Sequence, residues 1–103
     1  MADIQAATPT RSAEFKGDYR AASSCAAEKL TAQHSVTHIV RDDLKRATLL
    51  NMAHSDLVMY EARLTETRPD VFRAEVRSMK GVHTEHPGAT AAWAAIESCA
   101  AKV

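Results

Sequence analysis

The chain carries no excess of charge of either sign: 13 Lys and Arg balance 13 Asp and Glu, and the sequence isoelectric point is near 7.0. Nucleic-acid binders usually show a basic face or a high isoelectric point, and here the two signs are interspersed, so no nucleic-acid partner is expected. No apolar run approaches the ~20 residues that span a bilayer, and no membrane span is expected. Met1 to Thr10 is polar and lacks the apolar core of a secretory leader. Two origins fit that start: a cytosolic protein, or an exported one whose leader has been replaced by a start Met. Signatures of chemistry are missing too. There is no phosphate loop, Ser23, Ser24, Ser35 and Ser55 have no nucleophile-elbow context, and the two cysteines are not spaced as a Cys-x-x-Cys redox pair. The expectation is a protein without enzymatic activity and without a cofactor.

What remains is ordinary globular composition, 46% hydrophobic and 25% charged over 103 residues. That length holds one domain with a modest core, in which a crosslink would matter. Residues 1–11 read as a flexible tail and 12–103 as a single α+β domain. Cys25 and Cys99 sit near opposite ends, each in an Ala-rich helical segment beside its apolar stripe. An even count in a small chain fits one disulfide, and with it an oxidising compartment. Two buried free thiols in a cytosolic protein are the alternative.

The most informative stretch runs from Asp56 to Met79. Side chains on a strand alternate between faces, so Val58, Tyr60, Ala62 and Leu64 share one face and Glu61, Arg63 and Thr65 the other. Phe72, Ala74 and Val76 then oppose Arg73, Glu75 and Arg77. That is the pattern of a hairpin packed on one side and wet on the other. Charge selects the register: Arg63 opposite Glu75 and Glu61 opposite Arg77 keep both apolar faces together and put opposite charges across the strands. The loop would be Arg68-Pro69-Asp70. Because Pro69 suits the first central position of a turn and not the second, a bulge is expected near Thr67.

The other elements follow in order. Phe15, Tyr19, Ala22, Ala26 and Leu30 recur at helical spacing, which predicts a helix from Ser12 to about Thr31, capped by Ser12 or Asp18 and weakened at Gly17. Ser35 to Arg41 has strand composition around Val-Thr-His-Ile-Val, closed by Asp42-Asp43. Residues 44–54 fit either a strand over Ala47 to Met52 or a helix, and an all-helical bundle competes with the sheet. The hairpin charges and the need of the 35–41 strand for a partner favour a meander of about four strands. After a polar connector from Gly81 to Gly88, Ala89, Ala92, Trp93, Ile96, Cys99, Ala100 and Val103 form one helical stripe that Trp93 would anchor on the sheet. The predicted fold is therefore an N-terminal helix, an antiparallel meander and a C-terminal helix packed on one sheet face.

The segments Val-Met-Tyr-Glu-Ala-Arg, Phe-Arg-Ala-Glu-Val-Arg and Gly-Ala-Thr-Ala-Ala-Trp, the last running on to Glu-Ser-Cys-Ala, resemble small exported proteins of unknown function from Gram-negative bacteria. The likeness covers roughly Tyr19 to Ala101. It implies export to the periplasm or beyond and a two-cysteine scaffold, and brings no functional motif.

Candidate sites are few. His83 and His86 flank Thr-Glu in a glycine-bounded connector and offer a metal site, as imidazole suits zinc, copper or nickel. Exposed or hydrogen-bonded histidines are the alternative. His34 and His38 lie ~13 Å apart on a strand and share a metal only if that segment is helical. The Glu and Arg residues of the hairpin read as a solvated ladder worth ~0 to 1 kcal/mol per pair. Around that ladder, Leu57, Met59, Val71 and Met79 are candidates for an apolar docking patch. An unprotected sheet edge would take a partner by strand addition. The function these features suggest is a protein-interaction module stabilised by one disulfide. A periplasmic metal or small-ligand binder and a cytosolic helical adaptor are the alternatives.

Overall fold

A computed structural model describes residues 9–54, 57–78 and 87–103. The order is β1 (Arg11–Lys16), α1 (Tyr19–Thr31), β2 (Thr37–Arg41), a 3-10 turn (Asp42–Leu44), β3 (Arg46–His54), β4 (Leu57–Arg68), β5 (Val71–Ser78), α2 (Pro87–Cys99) and β6 (Ala101–Lys102). The strands form one antiparallel sheet in the order β2-β3-β4-β5-β1-β6. Strands β2 to β5 are the expected four-stranded meander. The sheet gains β1 and β6, which the sequence reading assigned to helices.

The hairpin holds the register that its charges select. Arg63 pairs with Glu75 and Glu61 with Arg77, while the register shifts between Glu66 and Arg68, leaving Thr67 as the bulged residue. Arg68 pairs directly with Val71, so Pro69 takes the first central position of a two-residue turn. Asp70 follows with φ 65, a conformation that turns use and that Asp tolerates. A second irregularity, between Asn51 and Met52, leaves Met59 as the extra residue opposite β3.

At the N-terminus the structure corrects the expected helix. Ala13 and Phe15 alternate with Ser12, Glu14 and Lys16, and Phe15, fully buried, pairs with Phe72. The strand ends at Gly17, whose φ of 125 suits a residue without a Cβ. Asp18 then caps α1 by accepting the Ala21 amide at 3.1 Å. Residues 1–8 lie outside the described residues. Thr10 already donates its amide to the Val76 carbonyl and Arg11 begins β1, so the sheet starts inside the stretch read as tail. At the other end α2 stops at Cys99, and Ala101 and Lys102 pair with Lys16 and Phe15. Val103 is therefore exposed instead of lying on the helix stripe.

Both helices pack on one face of the sheet. Several of their buried positions are small, with Ala22, Ser23 and Ala26 on α1 and Ala89, Ala92 and Ala95 on α2, so their backbones can approach closely, while Tyr19, Leu30, Trp93 and Ile96 supply the bulk. Aromatic groups fill the space below them. Phe15 stacks on Phe72 and meets Trp93 edge-on, each with ring centroids 5.6 Å apart. Cys25 and Cys99 form a disulfide that joins α1 to α2, with Cα atoms 6.0 Å apart. This is the expected clamp, and such bonds persist in oxidising compartments.

Candidate functional site: the open face and free edge of the sheet

No described element packs on the face opposite the helices. Alternation along the strands puts Ser12 and Glu14 there from β1, Arg73, Glu75 and Arg77 from β5, Glu61, Arg63 and Thr65 from β4, and Arg46, Thr48 and Leu50 from β3. Pairing carries these residues into rows. One runs Glu14, Arg73, Thr65, Arg46; the next Ser12, Glu75, Arg63, Thr48; the third Arg77, Glu61, Leu50.

The centre of this face is not the solvated ladder that alternation suggests. Glu61 is 1% exposed, and the Arg63 and Arg77 side chains are 19% and 11% exposed. Arg63 Nη2 donates to Glu61 Oε1 at 3.1 Å, and Arg77 Nη1 lies 3.9 Å from the same oxygen and 3.7 Å from Glu75 Oε1. A carboxylate this deep needs charged or hydrogen-bonding partners to offset its lost hydration, and two guanidiniums supply them. Further out the contacts turn polar and exposed, with Thr67 donating to Glu14 at 3.3 Å and Arg73 to Ser12 at 3.0 Å.

The free edge is β2. Its inner side pairs with β3, and no described strand pairs with its outer side. Ile39, opposite Thr48, belongs to the open face, and Val40, opposite Ala47, to the helix face; each is 41% exposed. Leu44, in the following turn, is also exposed. The opposite edge is partly closed, since β6 covers Phe15 and Lys16 and the Val103 amide donates to the Glu14 carbonyl.

Polar contacts tie β2 to the rest of the fold. His38 Nε2 lies 2.9 Å from Ser23 Oγ. Ser23 Oγ also lies 3.0 Å from the Arg20 carbonyl, and donation of its hydroxyl there leaves it free to accept from His38 Nε2. Burial lowers the His38 pKa from its ordinary value. His34 Nε2 lies 2.7 Å from the Tyr60 hydroxyl, and burial pushes Tyr60 up to about 12. The turn after β2 is held by Arg20 Nε, 2.6 Å from Asp42 Oδ1, and by the Tyr19 hydroxyl, which donates to the same oxygen. The hydrogen bond from Arg20, and then that from Tyr19, draws the Asp42 carboxyl below its ordinary pKa.

Cys25 and Cys99 meet in the disulfide. His34 and His38 are engaged separately, by Tyr60 and Ser23. Met59 and Val71 are half-buried at opposite ends of the sheet, beside the Tyr60–Ser78 pair and the Arg68–Val71 pair. About seven residues of strand, ~23 Å, separate them. The Leu57 side chain and residues Met79, His83 and His86 lie outside the described residues, and so does the rest of the Gly81 to His86 connector. Among the described residues no three His, Cys, Asp or Glu side chains lie close enough to hold a metal ion. None of the described helices is long and apolar enough to cross a membrane. The exposed apolar pair on β2 was not singled out from sequence; Ile39 and Val40 read simply as strand formers, and only sheet order shows that their strand is terminal.

No protein-family model matches the chain, and neither the curated proteins nor the solved structures contain a match.

Proposed function

We propose that this protein is a non-enzymatic interaction module of an oxidising compartment, the periplasm or the cell exterior, that takes its partner by strand addition at β2. The observation that carries the reading is the terminal position of β2 together with its exposed Ile39 and Val40. An unpaired edge presents a row of backbone donors and acceptors, and proteins usually blunt such edges with charge, proline or a covering element. Here only Arg41, at the end of Thr37–Arg41, is charged. The Cys25–Cys99 bond and the resemblance to exported Gram-negative proteins support the compartment. The all-helical adaptor does not fit a six-stranded sheet.

Strand addition would give affinity through main-chain hydrogen bonds and specificity through residues flanking Ile39 and Val40. Periplasmic extract passed over the immobilised, oxidised protein tests this. A partner retained by the wild type and by a Val103→Lys variant at the opposite edge, but lost with Val40→Pro, is the expected result. Equal retention by V40P would overturn docking at this edge, because proline removes a backbone donor and fixes φ.

A further inference from the structure

On the open face, strands β3 and β4 bring together a quartet of which only Arg63 is engaged by the Glu61 cluster. Arg46 pairs with Thr65 and Thr48 with Arg63, so two arginines occupy one diagonal of a square and two threonines the other. All four are half-buried. Paired residues stand ~5 Å apart across the strands and alternate residues ~7 Å apart along them, a footprint suited to one small oxyanion.

The donors outnumber the acceptors there. Glu61 is shared between Arg63 and Arg77, and Glu75 is beside Arg77, so that group of four is balanced. Arg46 joins no ion pair among the described residues. The Nε atoms of Arg46 and Arg63 are both buried without an acceptor. Buried donors are normally satisfied, and an orphaned pair on neighbouring strands calls for an explanation such as a bound ion. Guanidinium groups are also the side chains best shaped to hold phosphate oxygens in pairs.

We propose that Arg46, Thr48, Arg63 and Thr65 form a binding site for a phosphate-type oxyanion, either free phosphate or a phosphomonoester. Arg46 supplies the uncompensated positive charge. Arg63 contributes the donors that Glu61 leaves unused, and Thr48 and Thr65 give hydroxyl donors to the remaining oxygens. The tetrahedral form matches four groups at the corners of a square better than a planar carboxylate does. The quartet adjoins β2, since Arg46 pairs with Arg41 and Thr48 with Ile39, but it uses side chains of the open face and not the outer backbone of β2, so it does not rest on a partner docking there.

The test is titration of the oxidised full chain in low-salt buffer near pH 7, following the Nε–H resonances of arginine by NMR. Inorganic phosphate, glycerol 3-phosphate and acetate are added in separate arms. Saturable shifts at Arg46 and Arg63 with inorganic phosphate are expected, with acetate weaker by about tenfold or more. Glycerol 3-phosphate binding as well would make the phosphoryl group the ligand wherever it is carried, and phosphate binding alone would make it the free anion. Arg46→Gln should weaken binding about tenfold, and Thr65→Val, which keeps strand shape, about threefold, each with an unchanged amide spectrum elsewhere. No saturable shift in wild type, equal affinity for acetate, or unchanged affinity in both R46Q and T65V would overturn the proposal. Because Arg63 also supports Glu61, neither informative variant depends on replacing it.

Discussion

Removing the disulfide should cost this fold a large share of its stability. Cys25 and Cys99 are 74 residues apart, and in the chain-entropy model closing a loop of that length restricts the unfolded chain by about 4 kcal/mol. A domain of this size is stable by roughly 5–15 kcal/mol in total, so the double variant C25A/C99A would retain a thin margin. At about 4–8 °C per kcal/mol for a domain of 60–100 residues, the midpoint of thermal unfolding should fall by roughly 15–30 °C. The folded state should change little, because Ala22, Ala26, Ala92 and Ile96 hold the helices within the core. Urea unfolding of wild type and C25A/C99A, followed by circular dichroism, measures the loss, and superposable amide spectra show that the native shape is intact. A loss below about 1 kcal/mol with the native spectrum retained would refute the reasoning. It would mean that the unfolded chain is already restricted where the bond would restrict it.

Four further outcomes follow from individual contacts. Glu61→Gln leaves Arg63 and Arg77 facing a neutral amide; since both are partly exposed and Arg77 keeps Glu75, the loss should be about 2 kcal/mol, below the range for a fully buried pair, and a change under 0.5 kcal/mol in urea unfolding would count against a structural role. The depressed pKa of His38 means that the folded state takes up a proton less readily than the unfolded one, so stability is full above pH 6.5 and falls as pH drops below it; His38→Gln, which keeps a donor for Ser23, should flatten that part of the profile. Asp42 should titrate below an ordinary aspartate, its stabilising contribution being present above pH 3.8 and lost as pH falls through the lower folded value; Arg20→Ala should raise its midpoint in a carboxyl NMR titration, and an unmoved midpoint would exclude Arg20 as the cause. Lys45 holds φ 50, its backbone hydrogen bonds to Asp42 and Glu66 would be kept by glycine, and its side chain makes a long, exposed contact to Glu66, so Lys45→Gly should stabilise by about 0.5 kcal/mol, the relief of a left-handed residue exceeding the entropy that glycine adds to the unfolded chain.

The parts of the fold legible from sequence are those where two independent signals agree. In the hairpin, alternation gave the faces and the Glu and Arg charges gave the register, so the Arg63–Glu75 pair, the Glu61–Arg77 pair and the bulge at Thr67 could all be anticipated. Strand β1 offered one weak signal. Its alternation rests on Ala13 and Phe15 alone, while Phe15 also continues the spacing of Tyr19, Ala22, Ala26 and Leu30. What decides the matter is a partner some sixty residues away in sequence: β5 places Phe72 against Phe15, and no local pattern announces that. The same holds for β6, whose Ala101 and Lys102 pair with β1 although the helical spacing of the sequence runs on through Ala100 to Val103.

For the open face the missing information was pairing, not side-chain chemistry. Alternation assigned Glu61 to the wet side of the hairpin, but its burial depends on a row that also contains Leu50 of β3. Residues 44–54 fitted a helix as well as a strand, so Arg46 and Thr48 had no assigned face, and Arg63 and Thr65 had no neighbours on that side. Once Arg46 pairs with Thr65 and Thr48 with Arg63, four ordinary surface residues become one compact group with two orphaned donors. Slipping that pairing by one residue would send Arg46 and Thr48 to the helix side and dissolve the group. The register of β3 on β4 is thus both the least legible feature of this sequence and the one on which the proposed anion site depends.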